Sequence, residues 1–144
     1  MIGGAGIVMD VIIRAMGMPD LDSVYAIERQ SFSLPWPERS FRYELEENPN
    51  SRLWVAEVRH PEGQRVVAGM LVMWVVMDEA HIGTFAVLPE YRQKGIGRRL
   101  LTHVLIDAAE AGTRRVFLEV RRGNQAARNL YERFGFVVEG VRRG

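Results

Sequence analysis

Apolar residues recur along this chain with a period near two in some stretches and near 3.6 in others, and the alternation between the two predicts its elements. Val11-Ile12-Ile13-Arg14 predicts a first strand. Pro19-Asp20 then opens a helix on which Leu21, Val24, Ile27 and Glu28 fall at helical spacing. Phe32-Ser33-Leu34-Pro35-Trp36 is a turn, because Pro35 and Pro37 push the residues before them into extended shapes. Pro37 suits the first position of a second helix, which runs to about Glu47 and stops before Asn48-Pro49-Asn50. Three extended segments follow, Arg52 to Val58, Arg65 to Met77 and Ala80 to Val87. The short breaks between them, Pro61-Glu62-Gly63 and Asp78-Glu79, predict an antiparallel meander. The second segment is apolar throughout, as a strand covered on both faces would be.

After position 95 the period changes. Gly97, Leu100, Leu101, Val104, Leu105, Ala108 and Ala109 form one apolar helical stripe, ended by Gly112. Arg115 to Val120 is a strand, Asn124 to about Phe134 a helix ended by Gly135, and Phe136 to Val141 a last strand. The predicted order is β-α-α-β-β-β-α-β-α-β, an α/β arrangement with a mixed sheet and helices on both of its faces. No repeat or low-complexity linker interrupts it. Residues 1–10 read as a loose leader and 11–144 as a single domain. A domain of this length buries about 70% of its unfolded surface, and 47% hydrophobic residues supply the core.

Charge and composition narrow the function. Nineteen basic residues against eighteen acidic ones give a net charge of +1, which disfavours a protein that coats nucleic acid. Cysteine is absent, so there is no disulfide framework, thiolate metal site or cysteine nucleophile. His60, His81 and His103 lack the i, i+4 pairing of a helical zinc motif, and no metal is expected. The leader has no basic n-region and meets Asp10 quickly, so it does not resemble a signal peptide. The longest apolar run, Val66 to Met77, is too short to cross a bilayer as a helix. A soluble cytoplasmic protein with no membrane partner is the expectation.

Gln93-Lys94-Gly95-Ile96-Gly97-Arg98 joins a strand to an amphipathic helix. Glycines there let the backbone approach a ligand and turn N–H groups toward it, and a helix N-terminus adds partial positive charge. Arg92, Lys94 and Arg98 add more, so the place favours a phosphate or pyrophosphate. A plain turn would explain a lone G-x-G equally well. A dinucleotide-binding fingerprint is the rival, with Glu119 at the end of the next strand, but its third glycine would fall on Leu100. The loop also follows a meander instead of an opening strand.

Arg92-Gln93-Lys94-Gly95-Ile96-Gly97 resembles the R/Q-x-x-G-x-G/A motif of the GCN5-related N-acetyltransferase (GNAT) superfamily. Within it the chain resembles the RimI-type enzymes, which acetylate the N-terminal amine of a ribosomal protein. Four further stretches carry that likeness: Leu34-Pro35-Trp36 with Phe41; Ala86-Val87 with Pro89 and Tyr91; Leu118-Glu119-Val120-Arg121 with Asn124; and Leu130-Tyr131-Glu132 with Gly135-Phe136. Together they span nearly the whole chain. The resemblance implies the GNAT fold, acetyl-CoA as cosubstrate, and the N-terminal peptide of a protein as acceptor. It implies that Phe85, Ala86 and Val87 hold the pantetheine arm and that Arg92 through Arg98 (Gln93, Lys94, Gly95, Ile96, Gly97) hold the pyrophosphate. Asn124 would touch the cofactor, Glu119 would be the general base, and Tyr131 the general acid near the sulfur.

The chemistry is compatible with these roles. An α-amine has a pKa near 8, so a carboxylate can take its proton at modest cost. Glu119 interrupts an otherwise apolar strand, although that segment alone fits equally a Glu paired with Arg115 or Arg121. Tyr131 follows Asn124 by seven residues, about 700° of helix, so the two share a face. A tyrosine packed on Phe134 would look the same. Trp54 and Trp74 read as core and His81 as a strand-face residue, while Trp36 either anchors its turn or lies beside the acceptor.

Two departures bear on the reading. Gly123 stands where the family commonly has Ser or Thr before the cofactor asparagine. Relatives also continue beyond the position of Arg143 with a tyrosine-bearing loop and a seventh strand inserted between the fifth and sixth, whereas this sequence stops at Gly144. The implied fold therefore lacks its final strand and a loop that helps hold the acceptor. The unpaired edge left behind predicts either a homodimer through it or a last strand shifted inward. Two other functions fit the same motifs: a small-amine or lysine acetyltransferase, and a non-catalytic acetyl-CoA-binding module.

Overall fold

A computed structural model describes residues 9–118 and Asn129. The expected leader up to Val8, the last strand, and the predicted site positions Glu119, Asn124 and Tyr131 lie outside the described residues. So does the expected helix from Asn124 to Phe134, except for Asn129, which is helical.

Strand β1 (Asp10–Ala15) is followed by a 3₁₀ turn (Met18–Asp20) and helices α1 (Leu21–Ser31) and α2 (Glu38–Glu46). Strands β2 (Ser51–Arg59), β3 (Arg65–Val76) and β4 (Glu79–Val87) come next, then α3 (Ile96–Glu110) and β5 (Arg115–Leu118). The order in the sheet is β1-β2-β3-β4-β5. The first four strands are antiparallel, and β5 joins β4 in parallel after the α3 crossover. The expected meander and mixed sheet are therefore present. Element ends move by a residue or two: Pro19 and Asp20 form the 3₁₀ turn before α1, and Pro37 caps α2 from outside it.

Strand alternation sends each face of the sheet to a different helical layer. Met70 and Val72 of β3 pack with Leu53, Val55 and the α1/α2 residues Val24, Ile27 and Phe41. Leu71 and Met73, on the other face, pack with Leu100, Leu101 and Val104 of α3. β3 is thus buried on both sides at its centre, as its unbroken apolar run predicts. Fully burying a side chain of this size stabilises by about 1.5–3 kcal/mol, so these two layers dominate the core.

The alternation is broken twice. Val72 pairs with Thr84 and Met73 with Ile82, so Gly83 is an extra residue of β4, a β-bulge. Ala56 pairs with Gly69 and Glu57 with Val67, which makes Ala68 the corresponding extra residue of β3. The bulge at Gly83 shifts the side-chain parity of β4. Ala80 and Ile82 face α3 before it; after it, Phe85 faces α3 while Thr84 reaches α1.

At the β1–β2 end, the Arg14 guanidinium donates two hydrogen bonds to the buried Asp20 carboxylate, at 2.8 and 2.9 Å, and two to Glu57. Arg59 donates to the other Glu57 oxygen at 2.8 Å. The hydrogen bonds from Arg14 hold the Asp20 carboxyl below the usual carboxylate range, against the opposing effect of burial. Those from Arg59, and then from Arg14, do the same for Glu57. Among the described residues no helix is long and apolar enough to cross a membrane.

Candidate active site

The site is built where β4 ends, the glycine loop begins and α1 passes over the sheet. Phe85 and Ala86 are buried and Val87 is half-buried. Past Val87 the chain turns through a short 3₁₀ segment, Pro89–Tyr91, whose Tyr91 hydroxyl lies 2.8 Å from His60 Nε2. Tyr91 also packs against the cluster of Ala56, Val58, Ala68 and Ile96, the last being the first residue of α3.

Between the turn and the helix the backbone enters the left-handed region twice, at Gln93 (φ 62) and Gly95 (φ 82). A non-glycine residue there costs about 1–2 kcal/mol, and such strain is retained chiefly where a functional geometry requires it. A Cβ on Gly95 would meet nothing within 4 Å, so glycine serves that position through its backbone conformation, not through lack of space. Gly95 is the N-cap of α3, and no side chain caps the helix. Arg99 N donates to Gly95 O at 3.0 Å, so the N–H groups of Ile96, Gly97 and Arg98 precede the first helical hydrogen bond. Three backbone donors, a fifteen-residue helix behind them and the exposed Lys94 and Arg98 fit an anionic diphosphate. Arg92 is turned differently. Its Nε donates to Val87 O at 2.9 Å and its Nη2 to Ser31 Oγ at 3.4 Å, which staples the loop to β4 and to the end of α1.

On the α1/α2 face, Trp36 and Trp74 stack with ring centroids 5.8 Å apart, and Phe41 packs on Trp36 at 5.4 Å. Both tryptophan rings lie over Gly83, where a Cβ would come within 2.5 Å of Trp74 and 2.9 Å of Trp36. Glu44 accepts from Trp74 Nε1 at 2.6 Å. Trp74 was expected in the core; it is half-buried and forms part of this wall, because α2 supplies a carboxylate for its indole. His81 and Phe117 stack at 5.0 Å on neighbouring strands.

A model of the acetyltransferase (GNAT) family matches residues 21–136. This chain belongs to that family. The matched residues include the glycine loop just described, and the chain is an acetyl-CoA-dependent N-acetyltransferase. It is 40% identical over 131 residues to a Bacillus subtilis protein provisionally named a ribosomal protein bS18-alanine N-acetyltransferase, covering 91% of this chain and 83% of that one. It is 34% identical to the Escherichia coli ribosomal protein bS18-alanine N-acetyltransferase, covering 91% and 84%. The crystal structure of the ribosomal-protein-S18-alanine N-acetyltransferase from Escherichia coli superposes with a TM-score of 0.79 at 31% identity, covering 93% and 82%.

The structure brings Phe85, Ala86 and Val87 together with the loop from Arg92 to Arg98 through the Arg92–Val87 contact and the Pro89–Tyr91 turn. β5 is described as far as Leu118, paired with Ile82, and Glu119 follows it directly in sequence. Two features escaped the sequence reading. A lone glycine inside a strand pattern signals a bulge, and Gly83 carried that signal. Glu28 was placed on the apolar stripe of α1, where a carboxylate at a core position signals a buried polar link. It is fully buried, accepting from Thr84 Oγ1 at 2.6 Å and from Trp36 N at 2.9 Å.

Proposed function

We propose that this GNAT enzyme acetylates the N-terminal α-amine of a protein, and that its acceptor is a ribosomal protein beginning with alanine. The observation that carries the reading is 34% identity, across 91% of the chain, to an enzyme named for that reaction. The arrangement of the site supports it. Bound acetyl-CoA would supply an acyl carbon already activated as a thioester. The N–H groups of Ile96, Gly97 and Arg98, with Lys94, Arg98 and Gln93, would hold its diphosphate. Backbone groups of Phe85, Ala86 and Val87 would orient the arm and donate to the carbonyl oxygen as charge develops on it.

Glu119 takes the proton of the attacking amine, directly or through water, and Tyr131 gives one to the departing sulfur as the C–N bond forms and the C–S bond breaks. Asn124 would steady the arm. The Leu34-Pro35-Trp36 loop borders the acceptor, which enters on the face where Trp36 and Trp74 stack. In this reading the enzyme works in the cytoplasm and pairs with a second copy through a strand edge.

The test is mass-spectrometric acetyl transfer from acetyl-CoA to peptides with different N-terminal residues, each also with its α-amine blocked. Transfer confined to free N-termini, strongest for alanine, and reduced at least about 100-fold by Glu119→Gln is the expected result. Transfer to lysine side chains or small amines instead would replace this reading with the other enzymatic one.

A further inference from the structure

The Glu28 carboxylate joins three elements that the reaction has to hold in register. It belongs to α1, its Oε1 accepts from Thr84 on the bulged segment of β4, and its Oε2 accepts from the backbone N–H of Trp36. Thr84 immediately precedes Phe85, the first residue of the stretch that would carry the pantetheine arm. Trp36 ends the loop that would border the acceptor. A carboxylate with no exposed surface has lost its hydration, and the hydrogen bonds to it are charge-assisted and strong. An apolar residue at position 28 would satisfy the α1 stripe as well as Leu21, Val24 and Ile27 do. Core packing therefore does not call for Glu at this place.

Position explains it. Trp36 lies between Pro35 and Pro37, neither of which can donate a backbone hydrogen bond. Its own N–H is thus the only main-chain donor of the Pro35–Pro37 tripeptide, and Glu28 accepts from it. The ring of Trp36 is in turn stacked on Trp74 over Gly83, the bulge residue next to Thr84. The loop is thereby referenced to β4 at both its backbone and its side chain.

We propose that Glu28 is a positioning residue, whose buried carboxylate fixes the Leu34–Trp36 loop to the bulged segment of β4 and so sets where the acceptor amine meets the acyl carbon. This rests on the reading above that the loop borders the acceptor. Glu28 needs no contact with either substrate. Misplacing a reacting group by about 1 Å costs on the order of 100-fold in rate, so loss of the link should appear in acceptor kinetics before it appears in cofactor binding.

The experiment compares Glu28→Ala, Glu28→Gln and Thr84→Val with the parent, using whichever amines the parent acetylates from a panel of peptides and small amines. The readouts are acceptor kcat/KM, acetyl-CoA Kd by calorimetry, and Tm. Glu28→Ala should lower acceptor kcat/KM about 10- to 100-fold while acetyl-CoA Kd stays within about twofold. Glu28→Gln keeps an oxygen for Trp36 N–H and an amide for the Thr84 hydroxyl, and should restore most of the loss. Thr84→Val removes the hydroxyl donor at nearly constant shape; it should lower the same parameter several-fold, and it decides the matter if Glu28→Ala does not fold. Equal losses in acetyl-CoA affinity and acceptor kcat/KM, or a lowered Tm with unchanged kinetics, would overturn the proposal. A parent that acetylates small amines but no peptide would overturn the N-terminal reading instead, with Glu28 still judged on the amine it accepts.

Discussion

Replacing Gly83 by alanine tests whether the tryptophan wall is as rigid as its contacts make it. Gly83 does not have a left-handed φ, so alanine can adopt its backbone without strain. If the two rings could move aside, the substitution would stabilise β4 by about 0.5–1 kcal/mol, the ordinary gain of alanine over glycine within a strand. The rings are held, however. The added Cβ would lie 2.5 and 2.8 Å from two atoms of Trp74 and 2.9 Å from Trp36, against a carbon–carbon optimum of about 3.5–4.0 Å. Trp74 would have to withdraw by roughly 1 Å, losing its stack on Trp36 or its 2.6 Å hydrogen bond to Glu44. Overpacking of this kind costs about 1–3 kcal/mol, leaving a net destabilisation of about 0–2.5 kcal/mol after the alanine gain. At about 2–4 °C per kcal/mol, Tm should fall by up to roughly 10 °C. Trp74→Phe removes the ring atoms that the methyl would strike. The double variant should therefore be more stable than the sum of the two single changes by at least about 1 kcal/mol. Thermal and urea unfolding of all four proteins completes the cycle. A Gly83→Ala protein that melts higher than the parent, or a cycle additive to within about 0.5 kcal/mol, would refute the reasoning.

Two further outcomes are expected. Gly95→Ala places a Cβ in open space at φ 82, so its whole effect is about 1–2 kcal/mol of backbone strain. Either Tm falls by that amount, or the free loop relaxes and acetyl-CoA Kd rises about 5- to 30-fold; calorimetry and melting measured together should account for the full strain. The folded-state pKa values of Asp20 and Glu57 are depressed by their arginine partners, so their contribution is present above the unfolded value near 4. It is lost as pH falls through the folded values. Urea unfolding between pH 7 and pH 3 should show stability declining on the acid side, and Asp20→Asn should be about 1–2 kcal/mol less stable at pH 7 with a shallower acid limb.

Much of the architecture was legible because it rests on local periodicity. The 3.6-residue stripe of α3, the unbroken apolar run of β3 and the short breaks between β2, β3 and β4 each point to one element and one neighbour. The glycine loop was legible for a related reason: glycine spacing at a helix start is what leaves backbone N–H groups exposed. The family likeness added what periodicity could not, the identity of the ligand.

The tertiary structure decided what depends on contacts distant in sequence. Glu28 and Thr84 are 56 residues apart, and no pattern along α1 reveals that a carboxylate on its apolar stripe meets a hydroxyl on a bulged strand. The bulge is itself a matter of registry. Gly83 becomes an extra residue only when β4 is laid against β3, and that one-residue slip turns Thr84 toward α1. Trp74 illustrates the same limit. Hydrophobicity assigns it to the core, while its place in a half-buried wall follows from Glu44 on another element accepting its N–H. Sequence determines elements because periodicity is a property of neighbours along the chain. The way the Leu34–Trp36 loop sits against β4 depends on which polar atoms meet once those elements are packed.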